Sequence, residues 1–210
     1  MAHRHRDDHR LKTLLAQECA RIMAEEGIQD FRTAKRKAAL RLAIADKAIL
    51  PDNIEIEQAL LDYQRLFHAD RQAEHLRHLR ETALRAMHLL ACFRPKLVGP
   101  VLSGTANTHA DVQLHLFADT TKDVVMFLME HRIPFETAER RIKLGNGELV
   151  YLPVLRFGAD QHHHQIDLTI FAPLAEREAP RSPVDGRPMR RAGPAEVQAL
   201  LAEDASSLSH

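Results

Sequence analysis

The stretch that decides the fold is Leu97–Phe117, LVGPVLSGTANTHADVQLHLF, which predicts a short strand, a glycine-bearing loop and a second strand. Every second residue from Val112 to Leu116 is aliphatic, while Asp111 and Gln113 lie on the opposite face of the predicted strand. Because glycine lets backbone N–H groups approach anionic oxygens closely, an acid just after such a loop is typical of phosphate-handling sites.

A second alternating stretch, His163–Phe171 (HHQIDLTIF), carries Asp167 on its polar row. If the two strands lie in one sheet, Asp111 and Asp167 project from the same surface. Two carboxylates that face a groove repel each other unless a cation neutralises them, and a hard divalent cation prefers oxygen ligands. The pair therefore indicates a Mg²⁺ site.

These residues resemble the nucleotidyltransferase superfamily that includes DNA polymerase beta-like and aminoglycoside nucleotidyltransferase-type proteins. In that family a hydrophobic strand ends in Gly-Ser, a loop of about ten residues follows, Asp-x-Asp opens the next strand, and a third carboxylate comes later. Here Val98-Gly99-Pro100 stands at Gly-Ser and Val101–Ala110 forms the loop. Asp111-Val112-Gln113 stands at Asp-x-Asp, and Asp167 fits the third carboxylate.

The resemblance implies that Asp111, Gln113 and Asp167 form the catalytic, metal-binding set of a two-ion Mg²⁺ site, but two departures weaken it. Pro100 replaces the serine and so removes a hydroxyl and a backbone N–H. Gln113 replaces the second acid with a neutral amide oxygen, which lowers the expected metal affinity. His115, on the same polar row, is a further candidate ligand for the metal or, when protonated, for a phosphate.

The expected nucleotide-binding residues lie in the glycine loop and on a later hairpin. They are Gly99, Pro100, Ser103, Gly104, Thr105, Arg140 and Arg156. The two arginines are expected to neutralise phosphates across the groove. The implied reaction transfers a nucleoside monophosphate from a nucleoside triphosphate, with ATP favoured, to the hydroxyl of an unidentified acceptor. The alternative is a catalytically degenerate module of the same fold that binds a nucleotide, RNA or a protein partner.

Composition adds few constraints. Lys+Arg and Asp+Glu both number 29 among the 210 residues, so the overall charge does not indicate a polyanion ligand. Aromatic residues make up 5% and tryptophan is absent, so base stacking is not evident and RNA is not the favoured ligand. With only Cys19 and Cys92 and no long apolar run, we expect a cytoplasmic protein that makes no membrane contact.

The order of predicted elements indicates an α+β fold: an N-terminal helical region, then a mixed, mostly antiparallel sheet flanked by helices. We predict three regions. They are a helical region at residues 1–50, a nucleotidyltransferase-like domain with a long leading helix at 51–180, and a tail with a short helix at 181–210. The hairpin around Gly145-Asn146-Gly147 is the strongest local signal.

Two helices, about His9–Glu26 and Phe31–Ala43, are predicted in the first region, with Leu14 and Leu42 among the inward residues. The second helix is basic, and we interpret its charges as a solvated face rather than a nucleic-acid surface. A near-heptad apolar stripe follows from Ile56, on one long helix or on two helices broken near Asp70. This stripe serves either an intramolecular core or a homodimer.

The 14 histidines are the unusual feature of the composition. A transition-metal site that uses His162 and His164, or His3 and His5, is a third functional alternative. His75 and His78 lie one turn apart on the long helix and are expected to be exposed. The tail arginines Arg187, Arg190 and Arg191 either hold an anionic acceptor or RNA, or belong to a tail that covers the sheet edge, which we favour, and the end from Glu203 is expected to fray.

Overall fold

The structure, a computed structural model, describes residues 2–44, 49–158 and 164–207, and within these ranges not the side chains of 2–7, 67–71 and 205–207. It divides into two compact units. The helical unit comprises Met1–Gln72 with the segments Asn107–Ala110 and Pro183–Asp185, and the sheet unit comprises Ala73–Ala106, Asp111–Ser182 and Gly186–His210. The three-region division stays a prediction.

The helical unit contains α1 (Ala2–Glu26), α2 (Phe31–Arg41) and the first part of α3 (Asn53–Leu89). The sequence predicts Asp30 as an N-cap and Asp52 with Glu55 as a capping box, and both predictions are confirmed. Asp30 accepts a hydrogen bond from the backbone N–H of Thr33 at 2.8 Å. Asp52 and Glu55 form a reciprocal capping box with two contacts of 2.8 Å. Because α3 is continuous, the alternative of two helices broken near Asp70 is wrong.

Two inward positions predicted for the helical unit are wrong. Leu14 is 55% exposed, because its neighbour Leu15 takes the core position on α1. Leu42 is 39% exposed, because α2 ends at Arg41 and Leu42 is its C-cap. The core is formed by other apolar side chains, including Cys19, which is fully buried.

The sheet unit is built on five strands in the order β1-β2-β5-β4-β3. They are β1 (Lys96–Val98), β2 (Val112–Phe117), β3 (Glu136–Lys143), β4 (Leu149–Gly158) and β5 (Gln165–Phe171). β2 and β5 pair in parallel, whereas the other three pairs are antiparallel. The α+β class and the mostly antiparallel sheet are therefore confirmed.

The glycine loop differs from its prediction, because its first half is a short helix, α4 (Gly99–Ser103). Pro100 occupies the first turn, where its missing N–H costs nothing. Gly104 ends the helix with φ of +85°, a conformation that favours glycine, and its N–H donates to the carbonyl of Pro100 at 2.9 Å. The chain then reaches β2 through Asn107–Ala110, which belongs to the helical unit.

Two helices complete the sheet unit. The apolar pattern of Thr121–His131 predicts a helix with Met129 on its buried side. The helix observed, α5 (Thr121–Glu130), buries Val124 and Leu128, but Met129 is 60% exposed because it follows Leu128 and points away from the core. α6 (Pro194–Ser207) is longer than expected, since Asp204 binds Arg80 where fraying is predicted. At the β1 edge of the sheet, Ala192 pairs with Leu97, so the tail covers this edge strand as predicted. Within the described ranges, none of the helices has the length and apolarity needed to cross a membrane.

Candidate functional site

The parallel pairing of β2 with β5 brings the predicted acids together. Gln113 lies opposite Asp167 in the register, so the two side chains share one face of the sheet. Asp111 directly precedes β2 on the same polar row, and its Oδ1 accepts a hydrogen bond from the backbone N–H of Gln165 at 3.4 Å. Asp111, Gln113 and Asp167 thus occupy neighbouring positions.

Asp167 is held by two arginines from the neighbouring hairpin. Arg140 on β3 donates from Nη2 to Oδ2 of Asp167. Arg156, which pairs with Asp167 in the β4–β5 register, donates from Nη2 to the same oxygen at 3.4 Å. Its Nε lies 2.9 Å from Oδ1, in an ion pair too bent for a hydrogen bond. The carboxylate side chain is only 2% exposed, against 29% for Arg140 and 40% for Arg156.

This geometry corrects the expectation that Asp167 faces an open groove. The cations that neutralise it are guanidinium groups, because the two arginines expected to bind phosphates both contact this carboxylate. Their role in phosphate binding stays a prediction. As arranged, the side chains do not make a ready Mg²⁺ site, because both oxygens of Asp167 are engaged and Gln113 supplies a neutral oxygen. Nor do any three His, Cys, Asp or Glu residues in the described ranges form a group that could hold a metal. The Mg²⁺ ligand set stays a prediction.

Asp111 differs from Asp167 in its electrostatic surroundings. Burial raises the pKa of the Asp111 carboxyl, and the nearby charge of Asp167 raises it further. The hydrogen bond from Gln165 and the charges of Arg156 and His164 act in the opposite direction. The repulsion between the two carboxylates that the sequence predicts therefore acts on Asp111, whereas Arg140 and Arg156 neutralise the charge of Asp167.

Gly99 is favoured by its backbone conformation, and it lies close to the side chain of Gln113. Its φ is +72°, and a Cβ at this position would lie 2.8 Å from the Gln113 Oε1. Any larger residue would strain the backbone and push the Gln113 amide aside. The glycine of the motif therefore leaves room for the Gln113 amide.

The polar groups of the loop mostly bind one another. The hydroxyls of Ser103 and Thr105 lie 2.8 Å apart, and the backbone N–H of Thr105 donates to the carbonyl of Pro100 at 3.0 Å. The carbonyls of α4 are held by Arg80, whose Nε donates to Val101 at 3.2 Å. Arg80 is 6% exposed and forms two contacts of 2.8 Å with Asp204.

His115 and Arg191 form a second buried polar pair on the same face. Arg191 Nε donates to His115 Nδ1 at 3.1 Å, and its guanidinium carbon lies 5.1 Å from the ring centroids of both Phe117 and Phe171. Burial, then the charges of Arg191 and Arg140, lowers the pKa of His115 to about 3. The imidazole is neutral near pH 7, so the expectation of a protonated phosphate ligand is wrong.

The sequence interpretation missed Arg80 altogether, and it named Arg191 only as one of three tail arginines without its partner His115. Arg80 follows Leu79 inside the apolar stripe of α3, and a charged residue at a core position is the signal that could have found it. Arg191 has no comparable local signal, because its partners lie on β2 and β5 and in the segment at Ala175 and Glu176.

Three histidines cluster near Asp111. The ring of His164, 8% exposed, lies 5.1 Å from that of His75 and 6.2 Å from that of His78, measured between centroids. His75 and His78 are only partly exposed, contrary to expectation. His162 and His163 lie outside the described residues, as does the backbone of the turn before β5.

No family model and no curated protein matches the chain. Among solved structures, a chain in the "structure of GLD-2/RNP-8 complex" is similar at 21% identity with a TM-score of 0.32. The match covers 57% of this chain and 48% of that chain, so it spans about half of the solved chain's length. A likeness of this size supports no conclusion about family or activity.

Proposed function

We propose that the chain is a module that binds the phosphate groups of a nucleotide at Arg140 and Arg156, without requiring a divalent metal ion. The observation that carries this proposal is the pairing of Asp167 with both arginines. The positive charges beside the carboxylates are protein groups, and two guanidinium groups facing one carboxylate leave N–H donors for phosphate oxygens. The nucleotide itself is suggested by the resemblance of Leu97–Phe117 and Asp167 to nucleotidyltransferases.

The charge balance of this face supports an anionic ligand. Arg140, Arg156 and Arg191 share the face with the buried carboxylate of Asp167 and the half-buried Asp111. Arg191 and Arg140 both contribute to the low pKa of His115, as expected where positive charge is in excess. Both hairpin arginines remain partly exposed, so a ligand can reach them.

The proposal is tested by calorimetric titration of ATP, GTP, CTP and UTP into the full chain, with Mg²⁺ and with a chelator. We expect binding of similar strength in both conditions. Arg140→Gln and Arg156→Gln should each weaken it about tenfold or more, the usual size of a lost charge-assisted hydrogen bond. The matched control is Arg141→Gln, because Arg141 lies next to Arg140 on β3 but on the opposite face of the sheet.

Asp167→Asn separates this proposal from its main rival. Removing the carboxylate frees both arginines, so phosphate binding should strengthen or persist. If Asp167 instead holds a metal, the same change should abolish nucleotide binding. Absence of nucleotide binding in both conditions, or equal losses in Arg140→Gln and Arg141→Gln, would overturn the proposal.

The second candidate is Mg²⁺-dependent transfer of a nucleoside monophosphate from a nucleoside triphosphate to an acceptor hydroxyl. It is favoured by the common face of Asp111, Gln113 and Asp167, which the parallel β2–β5 pair sets side by side. It requires the guanidinium groups to leave Asp167. Nucleotide binding that needs both Mg²⁺ and Asp111, lost in Asp111→Ala, would favour this candidate and replace the first.

A further inference from the structure

The helical unit carries an open apolar groove between α1 and the first part of α3, with a volume of about 770 Å³. Four large aliphatic side chains line it and are accessible to solvent: Leu14 (55%), Leu42 (39%), Ile54 (53%) and Leu66 (78%). Ile54 and Leu66 are twelve residues apart on α3, so the apolar wall is about 18 Å long. Exposed aliphatic residues gathered in one groove are typical of an interaction surface.

The two walls of this groove differ in charge. Lys12 and Arg21 line the α1 wall, and Glu55 and Asp62 line the α3 wall. Glu18 also lies on the α1 wall, where Arg21 binds it at 2.8 Å. The lining residues therefore give α1 a net positive wall and α3 a negative one.

The direction of the helices determines how a second copy can meet these walls. Lys12 pairs with Glu55 at 2.8 Å, and farther along both helices Tyr63 donates to Glu25 at 2.8 Å. The helices therefore run in the same direction. A two-fold axis along the groove then sets α1 of each copy over α3 of the other, so that a basic wall meets an acidic wall twice.

We propose that this groove is the interface of a homodimer, in which α1 and α3 of two copies form a four-helix packing. The charge complementarity of the walls selects a second copy, because one rotation satisfies both contacts at once. The aliphatic side chains of the two grooves then cover each other, which removes their surface from water. The phosphate-binding proposal is independent of this interface, which uses residues of the helical unit alone.

Sedimentation equilibrium of the full chain tests the interface. Wild type should dimerise in the micromolar range, and Leu66→Glu should raise the dissociation constant by about tenfold or more, the effect of charging a buried interface position. Leu40→Glu is the matched control. Leu40 is a leucine of the same unit with 75% exposure, on α2 and outside the groove lining, so its change should leave the dissociation constant unaltered.

A charge exchange tests the two-fold arrangement. The variant Gln17→Glu/Arg21→Glu makes the α1 wall acidic, and Gln58→Lys/Asp62→Lys makes the α3 wall basic; all four positions are exposed and line the groove. Each variant should be monomeric alone, and an equimolar mixture should regain the dimer, because both contacts then join opposite charges. Circular dichroism checks that each variant is folded.

Three results would overturn the proposal. The first is a wild-type chain that stays monomeric up to about 100 µM, well above the dissociation constants of stable dimers. The second is an equal weakening of the dimer by Leu66→Glu and Leu40→Glu. The third is an equimolar mixture of the two charge-exchange variants that remains monomeric. A monomeric wild type would leave the groove for a helix of a different protein.

Discussion

The ion pairs of α2 in the helical unit differ in exposure from those of Asp167 and Arg80 in the sheet unit. In the helical unit, Lys37 and Arg41 of α2 bind Glu26 through side chains that are all more than a quarter exposed. In the sheet unit, the carboxylate of Asp167 is 2% exposed and the guanidinium side chain of Arg80 is 7% exposed. Ion pairs are therefore solvated on α2, whereas those of Asp167 and Arg80 each enclose a charged side chain.

This difference shows at which positions the burial of charged side chains costs free energy. Solvated ion pairs are screened by water and contribute little to stability, which fits the interpretation of the α2 charges as a solvated face. Enclosed charges lose hydration on folding, and well-packed apolar residues would often be no less stable. Charges retained in the sheet unit therefore hold particular elements in place, as Arg80 holds α4, or serve a ligand, as we propose for Arg140 and Arg156.

Removing Arg80 should give the largest effect on stability. Arg80→Met leaves Asp204 and the carbonyl of Val101 without their donor, so we expect the free energy of unfolding to fall by about 3 kcal/mol. Arg77→Met removes an exposed pair with Glu81 one turn away and should cost about 0.5 kcal/mol or less. Urea denaturation at neutral pH measures both.

A variant of α2 tests the solvated ion pairs of the helical unit. Lys37→Gln breaks an ion pair of 2.7 Å to Glu26, yet it should leave the free energy of unfolding nearly unchanged, because water replaces the lost contact. A loss as large as that of Arg80→Met would show that the α2 charges do not form a simple solvated face.

The next prediction concerns the pH dependence of stability that arises from His115. Its pKa is lowered from 6.5 to about 3 in the folded chain, so below about pH 6.5 the unfolded chain binds a proton that the native chain does not. Stability from this group is complete above that pH and falls by up to about 1.4 kcal/mol per pH unit as the pH drops towards 3. Over the range from about pH 7 to 5, wild type should lose about 2 kcal/mol more than His115→Gln.

The measurement is urea denaturation of both proteins at each pH. His115→Gln keeps a polar side chain beside Arg191 but cannot titrate, so the difference between the two pH profiles isolates the imidazole. Parallel profiles would mean that His115 is accessible to protons in the native chain, and the enclosed character of this face would be in doubt.

Local features could be predicted from the sequence because their causes are local. Asp30 caps α2 through a residue three positions away, and the hairpin turn at Gly145–Gly147 joins strands adjacent in the chain. The period-two alternation likewise placed Asp111 and Asp167 on polar rows. The two rows share a face because β2 and β5 are neighbours in the sheet. The sequence implied this pairing only through the family resemblance of its motif.

The partners of the enclosed charges could not be predicted in this way. Arg80 and Asp204 are 124 residues apart, and Arg191 and His115 are 76 residues apart. The contact of Arg140 with Asp167 depends on the registers of three strands at once. No periodicity within a helix or strand encodes such distances, so the sequence indicated charged residues near the site without showing which would bind each other.

The last prediction tests whether the polar groups of the enclosed face are all satisfied by the chain itself. Thr169 is fully buried, and its hydroxyl has no hydrogen-bond partner within the described ranges. Thr169→Val keeps the shape and removes the unsatisfied group, so the free energy of unfolding should rise by about 1 kcal/mol. The control is Thr82→Val, since the buried hydroxyl of Thr82 accepts from Arg85 at 2.8 Å and its loss should destabilise the chain. If Thr169→Val is instead less stable than wild type, the hydroxyl binds a group such as an ordered water, and this face is completed by something other than protein.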